Sequence, residues 1–220
     1  MQNLREQSQE VVPRLRGVLH MYSFWAALLA SALLVPFAAN GRARLAAIIY
    51  GLCLCGLFAA SSSYHRCRRP HWRPLLRRVD HSIIYLFIAG TATPVALLLL
   101  PHSLGLTLLI VAWAFALLGI VFTIAWINAP RGIAAGAYTL AGLSAGASII
   151  AGLTRLAPLP AALFLTGGLL YVLGALVYAL KRPNPWPTSF GFHEVFHALV
   201  CLAVGCQFIA MAGWIIPLST

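Results

Sequence analysis

Residues 106–126 read LTLLIVAWAFALLGIVFTIAW, a continuous run without one charged side chain. About 20 mostly apolar residues are enough for a helix to cross the hydrocarbon core of a bilayer. The run is apolar at every step rather than at alternate positions. It therefore reads as a helix, because a strand edge facing lipid would leave backbone groups unpaired. Working outward from it, six more runs of the same kind appear. The expected spans are Val18–Ala39, Leu45–Tyr64, Val79–Leu100, Leu106–Trp126, Gly132–Gly152, Pro158–Leu180 and Phe190–Ile216. The connections are short, so no separate soluble domain is expected, and no internal repeat stands out. The fold class is all-α: a polytopic seven-transmembrane-helix bundle over residues 18–216, with a cytoplasmic tail at 1–17 and a short external tail at 217–220.

Composition agrees. The chain of 220 residues is 61% hydrophobic and 9% charged, with a mean hydropathy of +0.88. An ordinary soluble domain is about 25% charged. This balance excludes a soluble enzyme, a disordered chain and a nucleic-acid-binding module, and leaves membrane lipids as the expected partners. The net charge of +11 then reports orientation. Arg5, Arg14, Arg16, Arg66, Arg68, Arg69, Arg73, Arg77, Arg78, Arg131, Lys181 and Arg182 fall on one side of the seven spans, and only Arg42, Arg44 and Arg155 on the other. Lys and Arg are retained on the cytoplasmic side, which puts the N-terminus inside and the C-terminus outside. The first 17 residues carry Arg5, Glu6, Glu10, Arg14 and Arg16 and no apolar core, so no cleavable signal peptide is expected.

Three further expectations concern packing. Trp25, Trp113, Trp126, Trp186 and Trp214 read as interfacial anchors near span ends. Gly132 with Gly136, and Gly142 with Gly146, form small-x-x-x-small faces, which predict a central or tightly packed fifth helix. The cysteine count is odd and contains no C-x-x-C pair. Cys53, Cys55, Cys67, Cys201 and Cys206 therefore read as reduced thiols.

The chain has four acids. Glu6 and Glu10 belong to the tail and read as solvated. Asp80 and Glu194 fall at the first turns of the third and seventh spans, both at the cytoplasmic end. His20, His65, His71, His81, His193 and His197 crowd the same end, and only His102 lies opposite. Ser61 sits one turn before His65. His193 and His197 are four apart, so both imidazoles share one helical face. Three imidazoles with an open fourth position make a catalytic type of zinc site. Each part also has a plain structural reading. The H-x-x-x-H pair fits a hydrogen-bonded core pair, since buried polar groups generally find partners. His65 fits an interfacial residue, and Asp80 a partner for Arg77 or Arg78. Glu194 points away from the histidine pair and reads as a helix cap. His71 and His81 read as interfacial, and His20 as a structural contact. Ionisable groups at membrane depth are costly and generally functional, which favours the joint reading.

The chain resembles the PAQR/hemolysin III family of seven-helix membrane proteins, which includes the adiponectin receptors and a bacterial hemolysin-III-like branch. The resemblance rests on Ser61-x-x-x-His65, on DHSIIYLFIAGTATP at 80–94, and on His193-x-x-x-His197. RLRGVLH at 14–20 and GGLLYVLGALVY at 167–178 extend it over nearly the whole chain. It implies a zinc ion held by His65, His193 and His197, with Asp80 contacting a water on the metal and Ser61 beside it. Ala92 and Gln207 depart from the family pattern, where Tyr and His are common, and neither is a ligand position.

The leading functional expectation is a zinc-dependent hydrolase, ceramidase-like, acting on a lipid amide or ester at the cytoplasmic leaflet. Asp80 and Ser61 would be its catalytic groups. The rivals are a receptor-like or lipid-homeostasis protein with a structural zinc site, a cytolytic protein, and haem ligation between helices. The basic loop from Arg66 to Arg78 serves either as the topogenic signal or to attract anionic headgroups.

Overall fold

The computed structural model describes residues 12–217. Among these described residues, seven helices long and apolar enough to cross a membrane follow one another. They are α1 (Val18–Leu34), α2 (Gly41–Arg66), α3 (Arg73–Leu98), α4 (His102–Ala125), α5 (Arg131–Leu153), α6 (Pro158–Leu180) and α7 (Phe192–Ala210). A 3-10 turn, Val35–Phe37, prolongs α1, and a π-helical turn, Met211–Ile215, prolongs α7. The protein is a seven-helix membrane bundle, as its apolar runs predict. Glu6, Glu10 and the tail residues 218–220 lie outside the described residues.

α2 and α3 start ahead of the apolar stretches that announced them. α2 extends from Gly41 to Arg66, with the Asn40 side chain accepting the Ala43 N–H at 2.9 Å. α3 starts at Arg73 rather than near Val79. The reason is that backbone hydrogen bonds continue a helix regardless of hydropathy, until a cap or proline stops it. Pro74 occupies the first turn of α3, where a missing N–H costs nothing. Asp80 is therefore two turns inside α3, not in its first turn.

α3 packs against α2, α4 and α5; α1 packs on α2 and α7, and α6 on α7. The α2–α3 contact needs Gly90, where a Cβ would fall 2.7 Å from the Cys53 side chain. Pro94 inside α3 removes one ladder bond. Thr91 and Thr93 donate to the Phe87 and Ala89 carbonyls at 2.9 and 2.8 Å, and Trp113 Nε1 donates to Thr93 Oγ1 at 3.1 Å. Trp113 is thus a mid-span residue of α4, contrary to its reading as an interfacial anchor. Trp25 likewise lies within α1, whereas Trp126 caps the end of α4.

The expectation for the fifth span also fails. A Cβ on Gly132, Gly136, Gly142 or Gly146 would meet nothing within 4 Å. α5 packs through Ala141 and Ala145, which are buried against Tyr85, Ala89, Ala92, Ala112 and Ala116, and through Gly152 against Val95. Those four glycines fall on the outward face beside exposed Ile133, Leu140 and Leu143. The five cysteines are free.

Before α1, residues 13–17 run across the α6–α7 connection. The N–H groups of Arg14 and Leu15 donate to the Thr188 and Ser189 carbonyls at 3.1 and 3.2 Å. Gly17 then turns the chain with φ 75°. A side chain there would be strained, and its Cβ would lie 2.8 Å from the Cβ of His65.

Candidate metal centre

His65 sits in the last turn of α2, and His193 and His197 in the first two turns of α7. One ring nitrogen from each lies within 4.8 Å of those of the other two. His193 Nε2 and His65 Nε2 are 3.2 Å apart. Two nitrogens at Zn–N ~2.0–2.1 Å on a tetrahedral ion are separated by roughly 3.3 Å, so this pair already has a metal-binding spacing. The all-imidazole donor set suits zinc and other transition metals. The three histidines can hold a metal ion.

The α7 end of the cluster is fixed by its helix start. Gly191 is the N-cap, and its N–H donates to Glu194 Oε2 at 2.8 Å. Glu194 is buried, and its other carboxylate oxygen accepts from Arg16 Nε at 2.5 Å. One buried carboxylate therefore caps α7 and ties it to the segment before α1, while His193 and His197 remain free to face α2. This matches the expected capping role. The loop ahead of α7 is closed by Trp186 and Phe190, which exchange backbone hydrogen bonds at 3.1 and 2.7 Å, and Asn184 Oδ1 accepts the Phe192 N–H at 3.0 Å.

From α3, Asp80 Oδ2 lies 3.8 Å from His65 Nε2 and 3.8 Å from His81 Nδ1. The buried Ser61 hydroxyl of α2 is directed at the same carboxylate. Arg77 instead reaches Asn128 Oδ1 and the Ile127 carbonyl, and Arg78 the Pro74 carbonyl. The alternative pairing of Asp80 with these arginines is therefore not formed. His81 lies closer to the centre than an interfacial residue would; its Nδ1 is 2.8 Å from the Arg77 carbonyl oxygen. His71 is exposed on the surface.

His20 of α1 is buried and stacks on His197, with centroids 3.9 Å apart and planes within 10°, while Phe58 meets its edge. It backs the cluster as a packing residue. Gln207 lies deeper in α7, buried against Gly167 of α6, and Ala92 is buried in the α3–α4–α5 core. Both departures from the family pattern thus sit away from the three histidines. Sequence reading counted Arg16 only in the charge sorting and missed its pairing with Glu194. The available signal was Glu194 itself, because an acid within a span requires a partner.

A cavity of about 400 Å³ opens beside the cluster and reaches His65. Arg14, Arg16, Arg66, Arg68 and Arg73 contribute to its wall.

The fold and the site together define a multi-pass protein of the cell membrane with a histidine cluster near one end of its bundle. The family model described as Haemolysin-III related matches residues 8–208. The chain is 28% identical over 181 residues to Hemolysin-3 of Bacillus cereus, a match covering 82% of this chain and 80% of that protein. It is 31% identical over 170 residues to a Hemolysin-3 homolog of Bacillus subtilis, covering 76% and 77%. The chain belongs to the Haemolysin-III related family.

Proposed function

We propose that this protein is a zinc-dependent hydrolase that cleaves a lipid amide or ester at the cytoplasmic side of the membrane. The observation that supports it best is three imidazole nitrogens within 4.8 Å of one another, with a carboxylate 3.8 Å from one of them. In this reading His65, His193 and His197 hold zinc. When bound, zinc lowers the pKa of a coordinated water from 15.7 toward about 7 and polarises a carbonyl. Asp80 orients the attacking water and accepts its proton. Ser61, on the α2 side of Asp80, is available to the oxyanion that develops on the substrate. The apolar bundle admits an acyl chain from the bilayer, and the cavity at His65 admits water.

A second reading keeps the metal as a clamp between α2 and α7 in a protein without hydrolytic activity. It is favoured by the way the histidines bridge two helices that are distant in sequence. The names of the two relatives describe hemolysins; we do not extend that activity to this chain, because seven strongly apolar spans do not suit a secreted pore-former.

The test is metal content per chain and turnover of ceramide and acyl-ester lipids by purified protein, before and after chelation. We expect about one zinc per chain, lost in His65→Ala, His193→Ala and His197→Ala, and hydrolysis that disappears with it. Turnover that persists in His193→Ala after chelation overturns the proposal. Zinc without turnover of any lipid leaves the clamp.

A further inference from the structure

Among the described residues, the wall of the cavity beside His65 carries five arginines and no acidic side chain. Two are engaged. Arg16 pairs with Glu194, and Arg73 donates to the Cys67 carbonyl at 3.0 Å while lying over the Tyr64 ring. Arg14, Arg66 and Arg68 have no acidic partner among the described residues, because Asp80 and Glu194, the two acids described, face other groups. A topogenic signal requires positive charge near the membrane. It does not require that charge to converge from two separate segments, 14–16 and 66–73, on one concavity. Gly17 produces the convergence, by letting the N-terminal segment turn over His65 and the Arg66 side chain. Guanidinium groups gathered around one concavity match the oxygens of phosphate and carboxylate.

We propose that this vestibule binds the anionic headgroup, phosphate or carboxylate, of a lipid whose acyl chain extends toward the histidine cluster. The inference rests on the hydrolase reading for the bond cleavage after binding, and it narrows the substrate class to lipids with a negatively charged group near the scissile acyl bond. Recognition itself needs only the arginines. Arg66 and Arg68 provide the exposed half of the site and Arg14 closes it from the N-terminal segment.

The test uses the full chain in phosphatidylcholine nanodiscs. Binding of dihexanoyl phosphatidic acid, dihexanoyl phosphatidylcholine and inorganic phosphate is measured at fixed salt, with metal per chain followed in parallel. The wild type is expected to prefer the phosphatidic acid at least tenfold over both other probes. The double variant Arg66→Gln/Arg68→Gln, and separately Arg14→Gln, should weaken that binding, at least tenfold for the double, with metal content unchanged. Arg69→Gln/Arg182→Gln removes the same charge from exposed positions outside the cavity and should change it less than twofold. Equal weakening by both double variants reduces the effect to general surface charge and overturns the proposal. So does equal affinity for phosphatidylcholine, or for inorganic phosphate, or complete loss of binding on chelation, which would place the anion on the metal. Selective binding without turnover of any lipid would retain the vestibule and remove the hydrolase; turnover without anion preference would do the reverse.

Discussion

Replacing Asp80 by Asn keeps the shape of the side chain and removes its capacity to take a proton. General-base catalysis contributes about 10²–10⁴-fold. We therefore expect Asp80→Asn to lower lipid turnover by about that factor while zinc per chain, measured by mass spectrometry, stays constant. Equal loss of metal and turnover would make Asp80 a positioning group for His65 instead. The Arg16–Glu194 pair calls for an unequal response from its two members. Glu194 is 1% exposed on its side chain and Arg16 22%. Arg16→Leu strands a carboxylate in the bundle, whereas Glu194→Gln leaves a guanidinium with some access to water and keeps an oxygen to cap α7. Removing one partner of a buried pair costs ~3–5 kcal/mol; with Arg16 part-exposed, we expect about 2 kcal/mol for Arg16→Leu and about 1 kcal/mol for Glu194→Gln. Thermal unfolding in detergent checks the order. A larger shift for Glu194→Gln would contradict it.

Among the elements, glycines on two helices separate close packing from composition. Gly90→Ala forces a Cβ into the Cys53 side chain where α2 meets α3, and overpacking of this kind costs about 1–3 kcal/mol. Gly136→Ala on α5 meets open space and should be neutral or stabilise the helix by about 0.5–1 kcal/mol. The melting temperature of Gly90→Ala should fall, and that of Gly136→Ala should hold or rise. The segment before α1 makes a third case. Gly17→Ala combines a left-handed backbone, costing a Cβ-bearing residue about 1–2 kcal/mol, with a contact on His65. Displacing support from a metal ligand lowers affinity about 10–100-fold. We expect zinc affinity to fall by at least the lower figure in Gly17→Ala, by competition with a chelator, while Gly168→Ala, also in open space, leaves it unchanged.

For the whole molecule, the sorting of Lys and Arg across seven spans predicts that the histidine cluster lies at the cytoplasmic end. A periplasmic phosphatase fused after Thr220 should be active in a bacterial host, and one fused after Arg69 inactive. The reverse result would turn the bundle over and move the cluster to the outer face. The many exposed leucines, among them Leu29, Leu52, Leu118, Leu143 and Leu165, are the surface that lipid covers. Extraction should accordingly require detergent rather than salt.

The amino-acid sequence alone determined the number of spans, their helical form and the residue types gathered at one end. Those properties depend on local hydropathy and charge, which a bilayer reads one segment at a time. The tertiary structure decided which of the gathered groups meet. His65 and His193 are 128 positions apart, and tertiary packing, including that of α1 on both α2 and α7, sets their separation. The glycine faces of α5 were legible as small residues, but whether a neighbour occupies them depends on the rotation of that helix, and no neighbour does. Asp80 was legible as an acid in a span. Its facing His65 rather than Arg77 depends on how α3 is rotated against α2, which hydropathy along one segment does not encode.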